Sequence, residues 1–357
     1  MSDYINERNN KYSVKIDKLL KENLPSFCKQ FIIGIAMNTT VLTRYNYAND
    51  LKLFFDFTTK FGAIFEGKNI KEITLADLDT IEATDIEEYL VYIDNYINNK
   101  NNVVHNSDRA KARKFCSVRA LFRYFYKKDK LAQNITLKVD MPKIHDKEII
   151  RLEENEVIQV LDGLEKGQNF ISDQMNAYND NNLHQRDYAI FMLLLGTGIR
   201  ISECVGLDIA DIDFTNLTFK IIRKGGKEAI LYLNQDIANS LTIYINNDRA
   251  KQISKKVNSN DKNALFLSLQ GNRISVRAVE ILVKKHTQCV SQLKNITPHK
   301  LRATYGTALY RATNDIYVVA EVLGHKDINT TKKHYAALSE DIKKSAVSKV
   351  NYRKNKE

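Results

Sequence analysis

A series of short blocks in the second half of the chain carries groups that together could move a phosphoryl group. They are Gly196-Thr197-Gly198-Ile199-Arg200-Ile201-Ser202-Glu203, Arg223-Lys224-Gly225-Gly226-Lys227, His299-Lys300-Leu301-Arg302 and Leu323-Gly324-His325, closed by Tyr335 ten residues beyond His325. A tyrosine hydroxyl can attack a phosphodiester and keep the phosphate as a covalent ester until another hydroxyl displaces it, so a strand is cut without losing the bond's energy. The attack builds negative charge on the nonbridging oxygens, which fixed cations must meet, and the departing sugar hydroxyl needs a proton donor. Two arginines, a lysine and histidines suffice for this without a metal or other cofactor. Taken alone, each residue reads as packing: His299 as a capping or core histidine, Arg302 as a surface ion-pair partner, Tyr335 as one of 18 tyrosines. Their order makes the case, because each added short motif multiplies down the chance of coincidence.

In that order and spacing, Asp187 to Tyr335 resembles the tyrosine recombinases, the family of lambda-type integrases and Xer proteins. The resemblance implies that Tyr335 is the nucleophile and that Arg200 and Arg302 hold the scissile phosphate through the planar fork of a guanidinium. It implies Lys224 as the general acid for the leaving 5′ hydroxyl, with Lys227 in the same turn as its rival. His299 and His325 match the two remaining pocket members, without separable roles, and Glu203 matches a supporting carboxylate that orients the basic groups. Two positions depart from the family pattern: Ala303 stands where many relatives have histidine, and Arg223 where glycine is frequent. Tyr305, Tyr310 and Tyr317 fall where the family places a packed helix and are assigned to the core; Tyr352, in the basic tail, is the weaker alternative nucleophile.

These groups need rigid elements to hold them. Tyr47, Leu51, Phe54 and Phe55 recur at helical spacing, and Ile86, Leu90, Ile93 and Ile97 form a second stripe, opened by a capping box from Thr84 to Glu87. A third helix is predicted over Ser107 to Lys128, with Val118, Leu121, Phe122 and Phe125 inward. Nine basic residues against two acidic ones between Ser107 and Lys130 point this helix at phosphates, through Arg109, Lys111, Arg113, Lys114, Arg119 and Arg123. Leu137 to Ile149, with Pro142 and no period, reads as a linker. Helices follow at Leu152 to Leu164 and Asp187 to Leu195, around an Asn-rich surface loop at 168–182. Thr218 to Arg223 and Ala229 to Leu233 make a β-hairpin about the Lys224–Lys227 turn, and helical patterns resume from Ser275. The expected fold is mostly α with a small antiparallel β-sheet. Residues 1–136 form a helical DNA-binding domain, 137–150 a linker, 151–337 an α+β catalytic domain and 338–357 a tail. The resemblance implies a core-binding, SAM-like first domain and a tail that docks on a neighbouring protomer; a tail folded back on its own domain is the alternative.

The chain's 357 residues allow about two domains. Its 54 Lys and Arg against 43 Asp and Glu, a net charge of +11, favour a polyanionic partner. Cys28, Cys116, Cys204 and Cys289 stand far apart, which suggests neither a zinc site nor a disulfide framework. With no apolar leader and no membrane-length run, a cytoplasmic location is expected. The resemblance further implies duplex DNA with an inverted-repeat recombination site as partner, and a homo-oligomer: a dimer on the site, a tetramer in the synapse. An Xer-like role in resolving chromosome or plasmid dimers is favoured over an integrase or excisionase of a phage or conjugative element. Type IB topoisomerase action and a catalytically silent DNA-binding protein are the remoter readings.

Overall fold

The computed structural model describes residues 3–97, 101–145, 150–167, 184–223, 226–255, 261–288, 290–291, 294–325 and 328. Lys224, Tyr335, Tyr352, the loop at 168–182 and the tail at 338–357 lie outside the described residues. The chain divides into two compact units, Met1–Lys147 and Glu148–Glu357.

The first unit contains α1 (Asp3–Glu22), α2 (Cys28–Gly34), α3 (Val41–Lys60), α4 (Leu75–Asp79), α5 (Ala83–Tyr92), a hairpin of β1 (Asn95–Ile97) and β2 (Val103–His105), and α6 (Asp108–Tyr126). Thr40 starts α3 by accepting the Thr43 N–H at 3.2 Å. The predicted stripe then buries Leu51, Phe54 and Phe55 completely. They meet Val118, Leu121, Phe122 and Phe125 of α6 in one aromatic core with Tyr89, whose ring lies 5.1 Å from Phe54, nearly edge-on. Ser107 caps α6, its hydroxyl accepting the Ala110 N–H at 3.4 Å.

Several local expectations change. Helix α5 begins at Ala83, and its cap pairs the Glu82 N–H with the Asp85 carboxylate at 2.8 Å, in place of Thr84 and Glu87. The second stripe does not continue to Ile97. Helix α5 stops at Tyr92, where Asn106 Nδ2 takes the Ile93 carbonyl at 2.6 Å and the Asn106 N–H takes the Asp94 carbonyl at 3.0 Å, so the chain turns into β1 with Ile97 62% exposed. Helix α1 has only scattered apolar residues, yet it forms 20 residues long because it packs along α3, burying Ile16. The packed part of this unit runs into the stretch read as linker: Val139 is buried in the same core.

In the second unit, α7 (Glu154–Glu165), α8 (His184–Thr197) and the short α9 (Ile201–Cys204) precede a sheet of β3 (Ile212–Asp213), β4 (Thr218–Ile222) and β5 (Glu228–Tyr232). Then come α10 (Gln235–Tyr244), α11 (Ala250–Lys255), α12 (Val276–Gln288), α13 (Pro298–Thr313) and α14 (Ile316–Leu323). The strands are antiparallel in the order β3-β4-β5, with Thr218 opposite Tyr232 and Ile222 opposite Glu228. Helices α10 and α11 occupy a stretch that periodicity alone leaves unassigned, joined by a π-helical turn at Ile245–Arg249. The centre of the unit is α8, which packs against α7, α10 and α13 and buries Ile190, Phe191, Leu193 and Leu194. Near its start Asp187 takes Arg186 at 2.7 Å and His286 of α12 at 3.5 Å, all three buried. The described residues are mostly helical with two small antiparallel sheets, one more than expected because of the β1-β2 hairpin.

Candidate active site

Helix α8 ends on a glycine that only glycine chemistry permits. Gly198 has φ +61°, and a Cβ there would lie 2.3 Å from Tyr305 Cδ1 and 2.9 Å from Leu323 Cδ2. The close approach brings the α8–α9 turn against α13 and α14, and Arg200 stands two residues further on, at the N-cap of α9. The buried Glu203 carboxylate serves it twice. One oxygen accepts the Arg200 backbone N–H at 2.8 Å, and the other pairs with Nη1 at 2.9 Å. Glu203 thus holds both the main chain and the guanidinium of Arg200.

Arg302 lies in the second turn of α13, where Pro298 sets the first. Only 5% exposed, it donates from Nη1 to the Gly198 carbonyl at 2.6 Å and from Nη2 to the Leu323 carbonyl. His299 sits three residues before it on the same helix, so the two share a face, and is exposed.

Helix α14 closes in a left-handed turn at Gly324, φ +62°, whose N–H bonds the Glu321 carbonyl at 2.9 Å while the His325 N–H bonds that of Ala320 at 2.9 Å. Arg200 Nη2 reaches the Gly324 carbonyl at 3.4 Å, next to the Leu323 carbonyl held by Arg302. Two arginines about a hundred residues apart in sequence therefore rest on adjacent carbonyls of one helix end, with half-buried His325 as the next residue. The C-terminal end of a helix carries partial negative charge and favours cations there. Arg200, Glu203, Arg302 and His325 are brought to one place, and His299 is carried by the helix that holds Arg302. Lys224 and Tyr335 lie outside the described residues; Lys227, the rival acid, is exposed.

Arg223, read from sequence only as a departure from a glycine, belongs to the same cluster. Its Nη1 donates to the Glu321 carbonyl at 3.2 Å and its Nη2 to that of Val322 at 2.8 Å. Burial lowers its pKa, the Glu203 charge opposes that shift and neighbouring Arg200 adds to it. No local motif marks such a residue, since its partners are backbone carbonyls nearly a hundred positions away.

Other calls from sequence need correction. Lys114, read as a phosphate contact, is only 8% exposed; its Nζ bonds Asn106 Oδ1 at 2.9 Å, and burial lowers its pKa. Lys111 is engaged by Asp94 at 2.8 Å and Asp108 at 3.1 Å, and Arg113 by the buried Asp50. Arg119 lies over the Phe115 ring at 5.6 Å, while Arg109 and Arg123 are exposed. Tyr305 and Tyr310 pack beside Val319 and Leu323 as expected, but Tyr317 is 65% exposed in the first turn of α14 and is no core residue. Among the described residues no His, Cys, Asp and Glu side chains gather as a set that could hold a metal ion, and no helix is long and apolar enough to cross a membrane.

Comparison with known proteins gives a consistent result. A family model described as the Phage integrase family matches residues 167–341. Tyrosine recombinase XerC of Caldanaerobacter subterraneus subsp. tengcongensis is 33% identical over 309 residues, covering 85% of this chain and 80% of the relative. Tyrosine recombinase XerS of Streptococcus agalactiae is 30% identical, over 94% of this chain and 98% of the relative. In fold, the chain resembles the XerH site-specific recombinase bound to a palindromic difH substrate in a post-cleavage complex (TM-score 0.62, 20% identity, 87% of this chain and 80% of that one). It also resembles the Tn1549 transposon integrase in complex with transposon right end DNA (TM-score 0.61, 19% identity, 90% and 98%). With the ordered motifs, the helix-end arginine cluster and relatives spanning most of its length, the chain belongs to the tyrosine recombinase family, among relatives of the Xer type.

Proposed function

We propose that this protein cuts and rejoins duplex DNA at a specific inverted-repeat site through a 3′-phosphotyrosyl bond to Tyr335, and that its role is Xer-like resolution of chromosome or plasmid dimers in the cytoplasm. The observation that carries the reading is the meeting of Arg200 and Arg302 on the Leu323 and Gly324 carbonyls, with His325 next in the chain. Each guanidinium has five N–H donors, more than the two acceptors each is seen to hold, and an arginine fork suits a phosphate. The tyrosine oxygen attacks phosphorus and the bond to the 5′ oxygen breaks. The tyrosine proton passes to a pocket base, His299 or His325, and Lys224 protonates the leaving 5′ oxygen. Arg200 and Arg302 neutralise the nonbridging oxygens, and Glu203 keeps Arg200 in place. A 5′ hydroxyl of the partner strand reverses the sequence and releases Tyr335. The protein acts as a dimer on each site and a tetramer in the synapse. Residues 1–136 form the DNA-binding domain, 137–150 link it to the catalytic domain at 151–337, and the tail at 338–357 docks on a neighbouring protomer. XerS, matched over 98% of its own length, supports the Xer-type role over that of a mobile-element integrase.

The test is a nicked suicide duplex carrying a site selected by binding from the protein's own genomic DNA. A covalent adduct resistant to denaturing gels is expected, with a phosphotyrosyl peptide containing Tyr335, and Tyr335→Phe abolishes it. An adduct that survives Tyr335→Phe, or none with the wild-type protein, would overturn the reading.

A further inference from the structure

Four consecutive carbonyls at the end of α14 are occupied by three guanidinia. Arg223 takes those of Glu321 and Val322, Arg302 that of Leu323 and Arg200 that of Gly324. A helix leaves its last carbonyls without intrahelical partners, and water ordinarily satisfies them. Here each is held by a cation, that of Glu321 in addition to the Gly324 N–H, and the two nearest the end hold the arginines of the proposed phosphate pocket. We infer that Arg223 is a positioning residue of this active site: by fixing the Glu321 and Val322 carbonyls it sets the helix end on which Arg200 and Arg302 rest and which His325 follows.

Three observations support this. The Arg223 side chain lies against Gly324, where a Cβ would stand 1.9 Å from its Nη1 and 2.5 Å from its Cζ, so the guanidinium and the left-handed turn are packed as one unit. Its Nε is buried with no hydrogen-bond partner among the described residues. A cap placed only for stability would have no need to bury an unpaired donor. Third, Arg223 and Arg200 are like charges within electrostatic reach of one carboxylate, Glu203, so the placement of one guanidinium bears on that of the other. The first unit shows what a plain cap looks like: Lys71 Nζ closes α1 by donating to the Leu20 and Leu24 carbonyls at 2.6 and 2.7 Å.

The inference rests on the proposed recombinase activity and is tested in the full chain with Arg223→Ala and Arg223→Lys. Single-turnover cleavage is measured on a nicked duplex whose scissile group is either phosphate or an uncharged methylphosphonate. Arg223→Ala should slow cleavage of the phosphate roughly ten- to a hundredfold, the scale expected when reacting groups are slightly misplaced, with DNA affinity unchanged in gel shifts. The deficit should shrink on methylphosphonate, which asks less of Arg200 and Arg302, and Arg223→Lys should recover part of the rate. Cleavage by Arg223→Ala at the wild-type rate, or equal deficits on both substrates, would overturn the inference, the second outcome reducing Arg223 to a cap like Lys71. A cycle with Gly324→Ala checks the packing: that change should cost less in the Arg223→Ala background than alone, in thermal midpoint and in rate, and additive losses would count against the contact. If wild-type protein forms no covalent adduct, the recombinase reading itself has failed and this inference with it. An active wild type beside an indifferent Arg223→Ala sinks the inference alone.

Discussion

Helix α6 of the first unit and the end of α14 in the second handle positive charge in opposite ways. Along α6 the basic residues are dense in sequence, yet the fold spends much of that charge internally. Asp94 and Asp108 hold Lys111, Asp50 holds Arg113, and Lys114 is buried on Asn106. At the end of α14 three arginines, one just after β4, one at the N-cap of α9 and one in α13, far apart in sequence, converge on consecutive carbonyls. Charge counted along a chain therefore overstates what α6 can present, and it misses the denser cluster altogether. Acidic partners from other elements neutralise the first, while backbone dipoles, invisible to any charge count, assemble the second.

The sharpest way to break this comparison is to remove one member of each cluster. Arg302→Ala should lower suicide-substrate cleavage by roughly a hundred- to a thousandfold, the cost of deleting one preorganised donor to a developing oxyanion, with most of the DNA affinity kept. Arg200→Ala should follow the same pattern. If filter binding falls as far as cleavage does, the arginines at the helix end serve binding rather than chemistry.

Next in size is a pair of buried carboxylates, one per unit. Burial pushes the Asp187 carboxyl up, but Arg186 and the bond from His286 outweigh it and hold the carboxyl below its ordinary value. Asp50 goes the other way: burial raises it by more than Arg113 and Ser117 bring it down. Asp187 therefore adds stability above the unfolded carboxylate value of 3.8 that is lost as pH falls through its folded value. The contribution of Asp50 is greatest at low pH and is lost as pH rises from 3.8 through its raised value. Asp187→Asn should destabilise by about 3 kcal/mol at pH 7, because it strands the buried Arg186, and should flatten the acid limb of a denaturation series. Asp50→Asn should cost under about 1 kcal/mol, since its partner Arg113 is half exposed and returns to water. Equal losses in the two variants would show that the carboxylates sit in like environments after all.

Much of the fold was legible. The stripes at Leu51–Phe55 and Val118–Phe125 are strong because each buries large aromatic side chains, and the hairpin strands around Lys224 alternate as half-buried strands must. Helices α1, α10 and α11 were not, since their packing against neighbours supplies what their own pattern lacks. In the site, the order of the motifs picked out Arg200, Glu203, Arg302 and His325, which the fold brings together. Arg223 was legible only as an oddity, because a side chain bonded to distant main-chain carbonyls leaves no trace in local spacing. Tyr317 was misassigned because its place between the arginine and histidine blocks says nothing about which way the first turn of α14 faces.

The smallest expected effect tests the other half of the comparison. Each lysine or arginine that contacts a phosphate releases counterions on binding, so deleting it lowers the slope of log affinity against log salt by about 0.9. If α6 lies along DNA, Arg109→Ala and Arg123→Ala, both at exposed positions, should each reduce that slope by about this much. Lys114→Met removes the same formal charge, but from a side chain bonded to Asn106 within the unit, so the slope should not change while stability falls by about 1 kcal/mol. Lys111→Met belongs between these limits, because its ammonium is already shared by Asp94 and Asp108. Gel-shift titrations at four or more salt concentrations suffice to separate the three classes. A Lys114→Met slope matching that of Arg123→Ala would mean that α6 gives up its internal bonds on binding, and that its sequence charge is available to DNA after all.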